Sequence, residues 1–150
     1  MQLLSRAGDK LIAKGSGYFI TASEDEIQIF LHNYCHYDML YRYRNTTNLT
    51  KTRRYKVFQE RAPRSFHIQL EGVRPGRHEV RRYGIGRKGG SAYDAWIDMG
   101  APEPVTTEEE KTLMRLSGPG YRMEEAEAEW RLKIKASLMP HEVCLITISI

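Results

Sequence analysis

Two carboxylates four residues apart, Asp94 and Asp98, are the first groups in this chain whose type and spacing could do chemistry. On a helix that spacing puts both on one face. Paired carboxylates cleave glycosidic bonds when held about 5–5.5 Å apart for retention or about 6.5–9.5 Å for inversion. Helix capping and solvation account for the same two acids, and no further residue singles them out as an acid and a nucleophile. Gly84-Ile-Gly86-Arg-Lys-Gly89 matches the spacing of a dinucleotide-binding turn. That turn needs a buried parallel strand before it, whereas His78–Tyr83 is polar and amphipathic, so a nucleotide site is not expected. Asn33-Tyr-Cys-His-Tyr-Asp carries His36 between Tyr34 and Tyr37. Aromatic faces beside polar edges suit a sugar, which makes Asn33, Tyr34, His36, Tyr37, Asp94 and Trp96 candidates for carbohydrate binding or for contact with another domain.

A stretch without acids runs from Met39 to Gln59 and carries Arg42, Arg44, Lys51, Arg53, Arg54 and Lys56 among Tyr41, Tyr43 and Tyr55. Bases among aromatics bind nucleic acid through phosphate contacts and stacking. The reading adopted is plainer: a solvated loop and strand edge, with Arg and Lys deterring edge-to-edge pairing. Nucleic acid is therefore not the expected partner, and Arg42, Arg44, Arg53 and Arg54 are the residues that would carry it. The histidines His32, His67, His78 and His141 are scattered; no metal site, cofactor or catalytic triad follows from their spacing. Cys35 and Cys144 sit in apolar, strand-like surroundings and read as buried thiols.

The elements that must position these residues are mostly strands. Tyr18–Thr21, Glu26–Leu31, Phe66–Leu70, His78–Ile85, Tyr121–Ala128, Trp130–Ala136 and Val143–Ile148 are short, and several alternate. Phe66, Ile68 and Leu70 face away from His67 and Gln69, as Leu132, Ile134 and Ala136 do from Arg131, Lys133 and Lys135. Such alternation fits antiparallel sheets with one wet face. Tyr121–Ala128, rich in Glu and Ala, is compatible with helix as well. Two short helices interrupt: Ala92–Met99 behind Ser91, with Asp94 at the third position, and Glu108–Leu116 behind Thr106 or Thr107. Leu3, Leu4 and Ala7 have helical spacing, with Gly8 as a stop.

With 150 residues, 41% of them hydrophobic, 28% charged and a net charge of +4, the chain fits one globular domain. No apolar run approaches the ~18 residues that span a bilayer. The N-terminus lacks the pattern of a signal peptide, and a cytoplasmic location is expected. Asn45-Thr-Thr and Asn48-Leu-Thr match the glycosylation sequon, but read as polar turns here.

Gly89-Gly-Ser-Ala-Tyr-Asp-Ala-Trp-Ile-Asp-Met-Gly-Ala-Pro102 resembles a signature near the C-terminus of glycoside hydrolase family 39, the β-xylosidase family. Leu11–Ile20 and Ile27–Asp38 resemble the first strands of that family's C-terminal β-sandwich, and Pro140-His-Glu-Val143 with Leu145-Ile146 its closing strand. Where the family carries something like Asn-Arg-Glu-His-Gly-Ser, this chain keeps Arg87, Gly90 and Ser91 and departs at Gly86, Lys88 and Gly89.

The resemblance implies an all-β fold, an antiparallel β-sandwich of about seven to nine strands with two short helical insertions. Residues 1–14 would be the tail of a preceding barrel helix or linker, and 15–150 the accessory sandwich. The family's catalytic (β/α)8 barrel would need roughly 250 residues of its own, and its catalytic glutamates belong to that barrel, so no catalytic residue is carried over. The implied partner is that barrel; xylo-oligosaccharide and a second copy of the chain are further candidates. The sequence is also similar to versions fused to AraC-type regulators, in which the sugar-hydrolase-like portion would sense a ligand. A self-standing carbohydrate-binding module using His36, Tyr37 and Trp96 is the alternative. Separated from a barrel, the sandwich would expose Leu3, Leu4, Leu11 and Ile12 and tend to self-associate.

Overall fold

The computed structural model describes residues 3–42, 49–59 and 62–150. Among the described residues eight strands form two antiparallel sheets. The larger has the order β1 (Lys10–Gly15), β2 (Tyr18–Ala22), β3 (Glu26–His32), β8 (Val143–Ser149), β5 (Gly76–Ile85), β6 (Gly120–Ala128); the smaller pairs β4 (Arg64–Glu71) with β7 (Arg131–Leu138). The helices are α1 (Met39–Arg42), α2 (Ala92–Asp98) and α3 (Thr107–Leu116). This is the all-β sandwich expected from the sequence.

Period-2 alternation decides what faces inward. In the smaller sheet Phe66 lies opposite Ala136, Ile68 opposite Ile134 and Leu70 opposite Leu132, which gathers the apolar side chains on one face. That face closes over Ile29, Leu31, Val80, Ile146 and Ile148 of the larger sheet to make the main core. Each such buried side chain contributes about 1.5–3 kcal/mol of transfer free energy. Tyr121–Ala128 is strand: nine residues pair with β5, from Gly76↔Ala128 to Gly84↔Gly120. Tertiary pairing overrides the helical preference of its Glu and Ala residues.

The outer face of the larger sheet is covered by the N-terminal segment. Leu3 is buried against Phe30 and Leu145, the Arg6 guanidinium lies 4.3 Å from the Tyr83 ring centre, and the Gly8 N–H donates to the Thr21 hydroxyl at 3.0 Å. A Cβ on Gly8 would run into the Ala22 carbonyl, so only glycine lets the segment lie this close. The expected exposed face is corrected accordingly: Leu4, Leu11 and Ile12 are exposed, but Leu3 is not. At the far end His78 is buried between the carbonyls of Ser149 and Arg74, at 2.7 and 2.8 Å, and clasps the last strand to the β4–β5 turn.

Three boundaries differ from the sequence reading. The strand expected at Glu26–Leu31 runs Glu26–His32, and the family-like stretch Ile27–Asp38 is strand only that far, because Asn33 turns the chain away. The basic stretch is not a strand edge: Lys51–Val57 forms 3-10 turns that leave Lys51, Arg53, Arg54 and Lys56 in solvent and bury Val57. Leu3–Ala7 makes only a single 3-10 turn at Leu4–Arg6. The caps of the other helices hold: the Ser91 hydroxyl accepts from the Asp94 N–H, and Thr106 with Glu109 forms a capping box.

Candidate functional site

The candidate residues converge on one corner of the sandwich, where β3 ends, β7 turns into β8 and α2 begins. Asn33 builds this corner. Its side-chain amide donates to the carbonyls of Leu138 at 3.1 Å and Ala62 at 3.3 Å. Its backbone exchanges hydrogen bonds with the β7–β8 turn, accepting from the His141 N–H and donating to the Glu142 carbonyl, both at 2.9 Å. The side chain is buried and its donors are spent on backbone, which fits a brace holding the loop and turn together.

On that brace sits a shelf of rings. Tyr37 stacks on Phe58 (5.1 Å between centres), Phe58 meets His141 edge-on (4.5 Å), and Tyr55 touches His141 (5.1 Å) and Tyr93 (5.4 Å). Tyr37 is 55% exposed, and Tyr34, also exposed, meets His36 edge-on at 4.8 Å. A cleft of about 890 Å³ opens along the shelf, lined in part by Tyr41, Tyr55, Phe58, Arg87 and His141.

Asp94 anchors the shelf to α2. Its carboxylate accepts from the Ser91 hydroxyl at 2.6 Å, the Tyr55 hydroxyl at 2.7 Å and Arg87 Nε at 3.1 Å. Burial opposes its ionisation, yet the hydrogen bonds from Ser91, Tyr55 and Arg87 and the Arg87 charge outweigh burial, so its carboxyl is held below the ordinary range. Tyr55 is pushed the other way, first by burial and then by donating to Asp94. His141 is lowered by burial and by the Arg87 charge. A glycosidase acid needs a raised pKa and free access to a leaving group. Asp94 has a lowered one, and both oxygens are taken. Asp98 is exposed and lines a neighbouring cleft of about 610 Å³ with Asp94, Arg87 and Glu142. The corner is arranged to bind and brace.

The glycine-rich turn has a local explanation. Gly86 and Gly89 exchange backbone hydrogen bonds at 2.7 and 3.1 Å, and this tight turn throws Arg87 over the Tyr55 ring at 4.0 Å. A Cβ on Gly86 would run into the Glu142 side chain. The strand before the turn, β5, is antiparallel to both neighbours, so the parallel strand of a dinucleotide site is not there.

The structure therefore brings Asn33, Tyr37 and Asp94 together. Trp96 sits half-buried two residues further along α2, with its indole N–H donating to the Pro102 carbonyl at 3.1 Å and its ring 6.1 Å from Tyr93. Arg53 and Arg54 are exposed on the 3-10 segment; Arg42 ends α1, and Arg44 lies outside the described residues, as do Asn45 and Asn48. Sequence reasoning did not assemble Tyr55, Phe58, Arg87 and His141 into one site. The signal that could have raised them was Arg87, retained within the family-like loop, beside the capped Asp94. Among the described residues no group of His, Cys, Asp or Glu could hold a metal ion, and no helix is long and apolar enough to cross a membrane.

No protein-family model and no curated protein matches this chain. Solved structures do match. A GH39 enzyme from Xanthomonas axonopodis pv. citri aligns over 99% of this chain and 29% of its own, with a TM-score of 0.70 at 12% identity. A monomeric β-xylosidase from Caulobacter crescentus CB15 aligns over 99% of this chain and 29% of its own, with a TM-score of 0.64 at 17% identity. A bacterial orthologue of human α-L-iduronidase gives a TM-score of 0.66 at 13% identity and 26% of its length. At such identities the likeness is one of fold. The chain spans less than a third of each of these enzymes, and an AraC-type regulator finds no support among them.

Proposed function

We propose that this chain is the non-catalytic accessory β-sandwich of a β-xylosidase-like glycoside hydrolase, packing on and bracing a catalytic barrel that the chain does not contain. The observation that carries this reading is the likeness over 99% of this chain to only 29% of two such enzymes. Local chemistry agrees with it. The most buried carboxylate of the candidate corner, Asp94, is consumed by three donors, and the exposed Tyr34, His36 and Tyr37 offer a contact face where the barrel would dock.

Purified chain is expected to leave an aryl β-xyloside intact. Hydrolysis that a single carboxylate substitution in this chain abolishes would overturn the proposal. A second reading, a self-standing carbohydrate-binding module, draws on the same exposed rings. It requires saturable binding of xylo-oligosaccharide that weakens in Tyr37→Ala, whereas the accessory reading expects Tyr37→Ala to weaken docking of the barrel.

A further inference from the structure

Trp130, expected from the sequence to open a strand, stands just before β7 and outside the candidate site. It lies in the corner between β6 and β7, at the opposite end of β7 from the Asn33–His141 site, roughly 25 Å away by strand length. Its side chain is 65% exposed. Its backbone is left-handed, with φ of 63°, a conformation that glycine or asparagine adopts readily and a bulky aromatic does not. The surroundings hold it there: the Gly72 N–H donates to the Trp130 carbonyl at 2.9 Å, and Arg131 pairs with Glu71 across the two turns at 3.6 Å. The indole N–H makes no hydrogen bond with the described residues, in contrast to that of Trp96. A strained, over-determined backbone that presents a large ring to solvent calls for a functional reading.

The neighbours select the partner. Trp130 lines an open cleft of about 710 Å³ together with Glu127, Glu129, Arg131 and Lys133. The other large apolar side chains of the two turns, Val73 and Leu132, are buried. A protein interface needs a contiguous patch of about 800 Å² per partner, and one ring among charges is not such a patch. A single aromatic side chain sharing a cleft with hydrogen-bonding groups instead matches a pyranose. The sugar's flat C–H face lies on the indole, and its edge hydroxyls meet carboxylates and ammonium groups.

We infer that Trp130 is the platform of a surface glycan site for a β-1,4-linked pyranose chain of the xylan type. The choice of xylan rests on the glycoside-hydrolase reading; the site itself rests on the geometry of the corner. Its role is to hold polymer against the module, away from any catalytic centre.

Native affinity electrophoresis of the full chain in gels containing soluble xylan tests it. The wild type is expected to be retarded, and Trp130→Gly to lose at least fivefold in apparent affinity while its melting temperature stays level or rises, since glycine relieves the left-handed strain. Tyr121→Ala, which removes an exposed aromatic at the far end of β6, is expected to keep the retardation, which places binding at Trp130. Should Trp130→Gly fail to fold, Trp130→Asn, which also tolerates this backbone, serves in its place. Absence of retardation by xylan in the wild type, or equal retardation of wild type and the Trp130 variant, overturns the inference. Either result leaves the accessory-module reading standing on its own tests.

Discussion

Removing the Asp94 carboxylate tests the architecture of the corner most sharply. Its side chain is only 11% exposed and takes three donors. A hydrogen bond to a charged group contributes about 1.5–3 kcal/mol, but such values do not add. Arg87 is 54% exposed, so its share is limited to at most about 1 kcal/mol. The Tyr55 and Ser91 hydroxyls dominate, and Asp94→Ala is expected to cost about 3 kcal/mol at pH 7. With a urea slope near 2 kcal/mol/M for a domain of this size, the unfolding midpoint should fall by about 1.5 M.

The pH dependence has a definite sign. A carboxyl whose folded pKa is depressed gives its full stabilisation above the unfolded value of about 3.9. That stabilisation is lost as pH falls through the folded value. The gap between wild type and Asp94→Asn should therefore be constant from pH 8 to 5 and close below about pH 4. Urea titrations followed by tyrosine and tryptophan fluorescence would measure both. A cost below 0.5 kcal/mol for Asp94→Ala (about a sixth of that expected from hydrogen bonds to a charged group), or a gap unchanged down to pH 3, would refute the reasoning.

Asn33→Ala strips the amide contacts to the Leu138 carbonyl at the end of β7 and the Ala62 carbonyl before β4, and should cost about 1–3 kcal/mol by chemical denaturation. It should also raise hydrogen exchange at the His141 N–H, which donates to Asn33. Gly8→Ala forces a methyl group against the Ala22 carbonyl, so a loss of about 1–3 kcal/mol and release of Leu3 from Phe30 and Leu145 are expected. Burial pushes the Cys144 thiol up to about 11, and native protein should resist alkylation by iodoacetamide at pH 8 at this position, while denatured protein reacts fully.

The sandwich was legible in the sequence because its information is local. Leu132, Ile134 and Ala136 alternate whatever they pair with, and Ser91 and Thr106 announce helix starts wherever the helices pack. Pairing partners are another matter. The order that places β8 between β3 and β5 depends on pairings between strands far apart in the chain, Glu26–His32 and Gly76–Ile85 each with Val143–Ser149, and no local pattern encodes it. The site divided in the same way. Tyr37, Asp94 and Trp96 stood out by type and neighbours. Tyr55, Arg87 and His141 become a site only when the 3-10 segment, the glycine turn and the β7–β8 turn meet. The basic stretch misled toward a strand edge because 3-10 turns have no strong sequence period. Trp130 read as the first residue of a strand that in fact starts at Arg131, since an aromatic in a left-handed corner is what local preference disfavours.

The most direct test of the accessory-module account is the reading frame upstream of the Met1 codon. The account predicts an open frame continuing upstream into a (β/α)8 barrel with two glutamates at strand ends. An in-frame stop codon and a ribosome-binding site immediately before Met1 would contradict it.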